Sequence, residues 1–286
     1  MTGSTRTPSR TRHKSLESSV LRKAHAEFGG RLPGKGPHHG TSPGSPPYRI
    51  EAGERGIRLS EIRELLSEYG ADEPARDTLE ALAQATRDGW WQDYRQILSA
   101  GYIDLLIAES VAAQITIYAP LQVPELLHTD SYARAIALAC NGGAEEIADA
   151  AVAATTARQR AVLHQSGTTV AVVLGEAALR QQVCGADVLR GQLRHLARLG
   201  RGGFPAAIQV LPFTAGAHGA NGGFSVLQFG PALPPGLVVV DGPGDGGIYL
   251  DAPESVAAYA GAFTRLRELA LSPQDSARML REAAHD

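Results

Sequence analysis

Residues 169–174 read Thr-Val-Ala-Val-Val-Leu, a short run dominated by β-branched side chains, and a glycine stands on either side of it at 167 and 175. Such a run is too short for a helix and is bounded as a strand is. Working outward, Glu176–Gln182 predicts a short helix. Asp187–Leu199 predicts a longer one, with Leu189, Leu193 and Leu196 on one side. Three more strand candidates follow at Ala207–Phe213, Phe224–Phe229 and Leu237–Val240, separated by turns rich in Gly and Pro, and Ile248–Leu250 can add an edge. On the other side of the run, Asp130–Cys140 buries Tyr132, Ala133, Ile136 and Ala137 at helical spacing and ends at Asn141-Gly142. The Ala-rich stretch Glu145–Leu163 is helical as well. Near the C-terminus, Asp251 with Glu254 resembles a capping box for a helix with Val256, Tyr259, Ala260, Phe263 and Leu266 on one stripe, and Ser272-Pro273 opens the last helix. The fold class expected is α+β: a helical N-terminal remnant, then a mixed domain whose helices are segregated from a small sheet, without repeated strand-helix units.

The 286 residues amount to about two domains' worth of chain, with 43% hydrophobic residues to build a core. No uninterrupted apolar run approaches the roughly 20 residues that cross a bilayer, and no hydrophobic signal core follows the basic N-terminus. With only Cys140 and Cys184, too few for a disulfide framework, a reducing cytoplasm and no membrane association are expected.

Charge divides the chain. Residues 1–49 carry nine Lys or Arg against two Glu, whereas residues 50–286 carry eighteen basic and twenty-eight acidic side chains. An acidic body repels phosphate backbones, so any nucleic-acid contact belongs to the front. Between Gly29 and Pro47, eleven of nineteen residues are Gly or Pro and Leu32 is the only aliphatic. Such a stretch is expected to be disordered, because proline removes helix hydrogen bonds and glycine raises the entropy lost on ordering. Around it the expected organisation is a basic segment over 1–47, with weak helical character at Leu16–Phe28. A helical remnant over 48–89 follows, built on Leu59, Ile62, Leu66 and Tyr69 after Ser60 and on Leu79, Leu82 and Ala83 after Asp72. The mixed domain then occupies 90–286.

At 48–57 the string Tyr-Arg-Ile-Glu-Ala-Gly-Glu-Arg-Gly-Ile resembles the end of the recognition helix in Cro-type, or XRE-family, helix-turn-helix regulators, where Ser-Arg-Ile-Glu-x-Gly is usual. Further blocks resemble the actinobacterial group of antitoxin-like transcriptional regulators in which that head precedes a C-terminal domain of unknown function. They are Gly89-Trp-Trp91, Tyr118 with Pro120–Leu127, Tyr132-Ala-Arg-Ala135, Gln192–Leu196, Val210-Leu-Pro-Phe213 and Gly216-Ala-His218. The resemblance runs from Tyr48 to the end. It implies DNA binding through the head and a small partner protein encoded nearby, which masks or releases that head. The departure lies at Gly29–Pro47, where the family's scanning helix and the front of its recognition helix belong. Reading bases in the major groove needs a rigid helix that sets three or four side chains against base edges. Sequence-specific DNA binding is therefore expected to be impaired, with Arg49 and Arg55 left as phosphate contacts, and the head reads as frame-shifted or genuinely diverged.

Candidate ligand- or partner-binding residues in the body are Trp90, Trp91, Glu176 and His218. The two indoles can form an aromatic recognition surface or, the preferred reading, pin the small helical region by burial. Glu176, Asp241, Asp245 and Asp251 with His218 supply the groups for an enzyme acting on a small molecule. However, nothing in their spacing places them together, and turn and capping roles account for most of them. Gly242-Pro-Gly-Asp-Gly-Gly247 leads into an apolar Ile-Tyr-Leu rather than a helix, which makes it a hairpin turn and not a phosphate loop. His38-His39 is incidental, His195 is a boundary histidine, and Cys140 and Cys184 fill core space. No catalytic residue, metal or cofactor is assigned, and the chain reads as a regulator that is not an enzyme, the alternatives being a small-molecule enzyme in the C-terminal domain and a non-functional decayed regulator.

Overall fold

The computed structural model describes residues 88–165, 167–183, 185–200, 206–230, 236–242 and 247–285, with isolated positions between 63 and 84. The chain divides between Arg76 and Asp77 into two units, and every continuously described element belongs to the second. The readings of Leu16–Phe28, Gly29–Pro47, Arg49, Arg55, Ser60, Asp72, Cys184 and Asp245 lie outside the described residues.

After a 3-10 turn at Trp90–Tyr94, helix α1 spans Ala100–Ser110, started by Ser99, whose Oγ accepts from Tyr102 N at 3.2 Å. Strand β1 is Ala112–Ala119. Helices α2 (Asp130–Cys140) and α3 (Glu145–Arg160, extended by a π turn over Ala161–Gln165) lead to β2 at Thr169–Gly175. Helices α4 (Ala177–Arg180) and α5 (Ala186–Leu199) lead on to β3 at Ala206–Leu211. Strands β4 (Phe224–Phe229), β5 (Gly236–Val240) and β6 (Ile248–Leu250) then precede α6 (Pro253–Leu269) and α7 (Pro273–Ala283).

The six strands form one sheet in the order β3-β2-β1-β4-β5-β6. It has two halves of different character. β1, β2 and β3 run parallel, with Tyr118 opposite Val173 and Val173 opposite Gln209. β4, β5 and β6 continue antiparallel, with Phe224 beside Tyr118 and Val240 beside Phe224. The mixed α and β content matches the expectation, but the segregation of helices from strands does not. A parallel neighbour can be reached only by a crossover, and here helices supply both crossovers. The parallel half is thus two strand-helix units, and its first strand, β1, had no counterpart in the reading of the sequence. The expected capping box at Asp251 also differs. Helix α6 is preceded by Ala252, which makes no side-chain cap, and it begins with Pro253, whose fixed φ suits the first helical position.

One face of the sheet packs Tyr118, Val173, Leu211, Phe224, Val226 and Val238 against Val256, Phe263 and Leu266 of α6. The alternate residues Ile115, Ile117, Val170, Val172, Leu174, Ile208 and Val210 are buried as well, as in a sheet covered on both faces. The outer edge of β3 is blocked by the start of α7. Val210 N donates to Ser276 Oγ at 2.9 Å, and Leu271 N donates to Val210 O at 2.9 Å. A side chain and a loop thereby take the hydrogen bonds that a further strand would use.

Candidate functional site

The parallel strands end together, and their carboxyl ends carry the residues that the sequence singles out. Strand order reverses at β1, and in open sheets of this kind ligands bind outside the carboxyl ends of the strands at such a point. Here the chain leaving β1 is squeezed between its neighbours. A Cβ on Gly175, at the end of β2, would lie 2.5 Å from Pro120 O, and one on Gly223, before β4, would lie 3.2 Å from Pro120 Cδ and 2.0 Å from Asp241 Oδ2. Only glycine permits the approach at 175, where the neighbour is backbone, whereas at 223 the nearest atom is the end of the Asp241 side chain. Pro120 is thus flanked by the end of β2, which runs straight into Glu176, and by Asp241.

Glu176 is tied down. Its Oε2 accepts from Phe213 N at 2.9 Å, its Oε1 pairs with Arg180 at 3.3 Å, and its own N donates to Leu211 O at 2.9 Å. His218 stands edge-on to Tyr118, ring centroids 5.7 Å apart, and its Nδ1 accepts from Ala220 N at 3.3 Å. That acceptance assigns the neutral ring's proton to Nε2. Tyr118 continues through Phe224 to Tyr259 as an aromatic row with spacings of 5.8 and 5.0 Å. Burial raises the pKa of the Tyr118 hydroxyl and that of the Asp241 carboxyl above their ordinary values. On the same edge two large apolar side chains project into solvent: Leu121 is 60% and Phe213 69% exposed.

Glu176, His218 and Asp241 therefore border one edge, yet no hydrogen bond joins any two of them. The indoles part ways: Trp91 is 2% exposed, while Trp90 is half-buried and stacks edge-on against both Trp91 and Tyr94. His195 is half-buried on α5, where burial and then Arg198 lower its pKa. Cys140, expected to fill core space, is instead exposed and free at the last position of α2. Among the described residues no group of three or more His, Cys, Asp or Glu side chains is able to hold a metal ion, and no helix is long and apolar enough to cross a membrane. An open cleft of about 400 Å³ lies at the opposite, amino ends of the parallel strands, lined by Gln114, Thr169, Ala171, Ala207, Leu199 and Pro273 among others. Among the described residues no ionisable side chain lines it.

Behind the carboxyl edge lies a charge network with no forerunner in the sequence reading. Arg158 of α3 is buried and grips Glu109 of α1 with two hydrogen bonds, Nε to Oε2 at 2.8 Å and Nη2 to Oε1 at 2.6 Å. Its Nη1 reaches Glu125 Oε2 at 2.5 Å and the Tyr102 hydroxyl at 2.8 Å, and its guanidinium lies 5.3 Å from the centre of the Tyr102 ring. Tyr102 donates to Glu125, and Thr155 Oγ1 donates to Glu125 Oε1 at 3.2 Å. Burial opposes charge on both sides of the network. Arg158 nevertheless stays protonated, above its ordinary value, because Glu109, Tyr102 and Glu125 surround it. Burial likewise pushes the Glu125 carboxyl up, but Arg158, the Tyr102 hydroxyl and His128 outweigh it and hold the group below its ordinary value.

The network fixes the loop that follows β1. Gln159 Nε2 donates to Glu125 O at 3.1 Å and to His128 O at 2.8 Å. Gln192 of α5 donates to Leu127 O at 2.6 Å and accepts from Thr129 N at 2.7 Å. The buried His128 ring closes the loop on itself through Nε2 and Val123 O at 2.8 Å. Leu121 thus projects from a segment whose following eight residues are anchored from α1, α3 and α5. A signal was present in the sequence: Glu109 ends the apolar run Leu105-Leu-Ile-Ala108 inside the helix, and an acid in such a setting calls for a buried partner.

The model of one protein family, described as a domain of unknown function (DUF5753), matches residues 102–282. No curated protein and no solved structure matches the chain.

Proposed function

The chain belongs to the DUF5753 family, and from that premise we propose that residues 77–286 form the non-catalytic receiver domain of a cytoplasmic, antitoxin-like transcriptional regulator. The receiver binds a small partner protein at the carboxyl edge of β1, β2 and β3. The observation that carries this reading is the pair of exposed apolar side chains, Leu121 and Phe213, at 60% and 69% exposure on an otherwise anchored edge. Large apolar groups held out into water by a rigid frame cost solvation without adding to the fold. They suit a surface that a partner covers, because little conformational entropy is then lost on binding.

The catalytic alternative, in which Glu176, His218 or Asp241 acts on a small molecule, has less support. Both Glu176 oxygens are engaged by Phe213 N and Arg180, and the Nδ1 of His218 is occupied by Ala220 N. General acid-base chemistry needs a group with a free, directed lone pair or proton within reach of a second one. For the DNA-binding head the support is compositional. The Gly- and Pro-rich stretch at 29–47 is unsuited to a recognition helix, so the reading is a receiver whose DNA output is impaired.

The test is to purify the full chain together with the small protein encoded beside its gene and to measure their association by sedimentation velocity. A 1:1 or higher complex is expected. Phe213→Ser should weaken it at least about 30-fold, the equivalent of a hot-spot loss of about 2 kcal/mol, without lowering the melting temperature. A gel shift with the gene's own upstream DNA should show weak, salt-sensitive binding. Independent sedimentation of the two proteins, together with tight and selective DNA binding at physiological salt, would overturn the proposal.

A further inference from the structure

The 286-residue chain contains two asparagines, Asn141 and Asn221, and each is followed by two glycines. Asn-Gly is the sequence in which a backbone nitrogen most easily reaches the preceding side-chain carbonyl, since glycine has no Cβ to hinder the approach. The two sites differ in their surroundings. Asn141 closes α2 and is held at both ends. Its Nδ2 donates to Ala137 O at 2.8 Å and its own N donates to the same oxygen at 3.0 Å, while its carbonyl accepts from Ala144 N at 3.3 Å. Asn221 lies in the irregular segment between the 3-10 turn Phe213–Ala215 and β4, and it is exposed. Asn141 is exposed too, and a Cβ on Gly142 or on Gly222 would meet nothing within 4 Å, so what separates the two sites is the set of hydrogen bonds that holds Asn141. The segment borders the carboxyl edge: Asn221 is three residues from His218 and two from Gly223, against which the Asp241 carboxylate rests.

We propose that Asn221 is a site of spontaneous deamidation, which converts this border of the edge from neutral to anionic as the folded protein ages, and that Asn141 is protected. The backbone nitrogen of Gly222 attacks Asn221 Cγ and gives up its proton. The new N–Cγ bond replaces Cγ–Nδ2, and Nδ2 leaves as ammonia with that proton. Water then adds to one of the two carbonyls of the resulting five-membered imide. Breaking the ring on one side gives aspartate, and breaking it on the other gives isoaspartate, with one more carbon in the main chain. No oxidant or cofactor takes part. The inference does not depend on the proposed partner.

The experiment is peptide mapping by mass spectrometry of the full folded chain during incubation in mildly alkaline buffer, with aspartate and isoaspartate separated by chromatography. Both products are expected at 221. Conversion at 141 should be slower by about tenfold or more, the ratio that corresponds to roughly 1.4 kcal/mol for releasing the hydrogen bond that pins its amide. In denaturant, where that bond is lost, the two rates should converge. Gly222→Ala, which the open space accommodates, should slow reaction at 221 while leaving the melting temperature and the rate at 141 unchanged. An intact Asn221 in folded protein whose Asn141 has converted, or equal rates at both sites in the folded state, would overturn the proposal.

Discussion

Replacing Arg158 with methionine removes the one cation from a buried cluster that holds two carboxylates. Glu109, with 3% of its side chain exposed, loses both of its charge-assisted hydrogen bonds, and Glu125 and Tyr102 lose the group that faces them. Taking one partner from a buried ion pair costs about 3–5 kcal/mol, because the remaining charge stays desolvated and unpaired. For a unit of this size each kcal/mol lowers the melting temperature by roughly 2–4 °C, so a fall of about 6–20 °C is expected. Urea unfolding followed by circular dichroism at neutral pH measures the loss directly, and Glu109→Gln in the Arg158→Met background should recover part of it. The pH dependence has a definite sign. Glu125 has a folded-state pKa below its ordinary value of 4.5, so its contribution is complete above that value and is lost as pH falls through the lower folded value. The difference between wild type and Arg158→Met should therefore narrow at acid pH. Below the unfolding transition, amides at 121–129 in the variant should also exchange faster than in wild type, while those of β2 change little, since Arg158 holds that loop through Glu125. A variant within about 1 kcal/mol of wild type at neutral pH, with unaltered loop exchange, would refute the assignment of this network as a structural tie.

Further outcomes follow from single positions. Gly175→Ala would bring a Cβ to 2.5 Å from the backbone oxygen of Pro120 and should cost about 1–3 kcal/mol in thermal unfolding. By contrast Gly191→Ala, on α5 with nothing within 4 Å, should stabilise by about 0.5–1 kcal/mol. Ser276→Ala leaves the buried Val210 N–H without its acceptor and should cost about 1–3 kcal/mol by the same measurement. Burial first, and then Asp104, push the Tyr249 hydroxyl from 10.0 up to about 12, while it donates to Gly101 O at 2.7 Å. A group raised in this way contributes stability that is complete below pH 10 and lost as pH rises towards 12. Spectrophotometric titration of Tyr249→Phe against wild type should therefore remove a late ionisation in that window, and an unchanged titration curve would contradict the burial of this hydroxyl.

The elements legible from sequence were those with punctuation at both ends. Helix α2 is bounded by Thr129 and by Asn141-Gly142, and strand β4 is entered through Gly222-Gly223 and left at Gly230; both have the limits the pattern predicts. β1 was missed although Gln114-Ile-Thr-Ile-Tyr118 alternates as a strand should, because only Val111 separates it from α1 and no Gly, Pro or Asn marks the join. Missing the central strand hid the first of the two strand-helix units, so the sheet read as small and segregated from the helices. At the edge, Glu176 and His218 were visible as titratable groups near turns. Leu121 and Phe213 were not, because an isolated apolar residue shows nothing of its exposure until its neighbours are placed.

The charge network explains why the edge is presented as it is. Glu109 and Arg158 are 49 residues apart and Glu125 and Arg158 are 33 apart, so the cluster forms only when α1, the loop after β1 and α3 have come together. An apolar cluster of equal volume would hold three segments at least as firmly without the desolvation cost of three charges. Apolar contacts, however, tolerate sliding, whereas a guanidinium gripped by one carboxylate in two bonds and touching a second carboxylate and a hydroxyl admits one arrangement. That arrangement sets the position of Glu125, and the anchors at Glu125 O, Leu127 O and His128 O carry the register through the rest of the loop. At its other end, the close approach of Gly175 to Pro120 O fixes the first residue after β1. Leu121, between two fixed points, is thereby held out beside Pro120 at the end of the central strand.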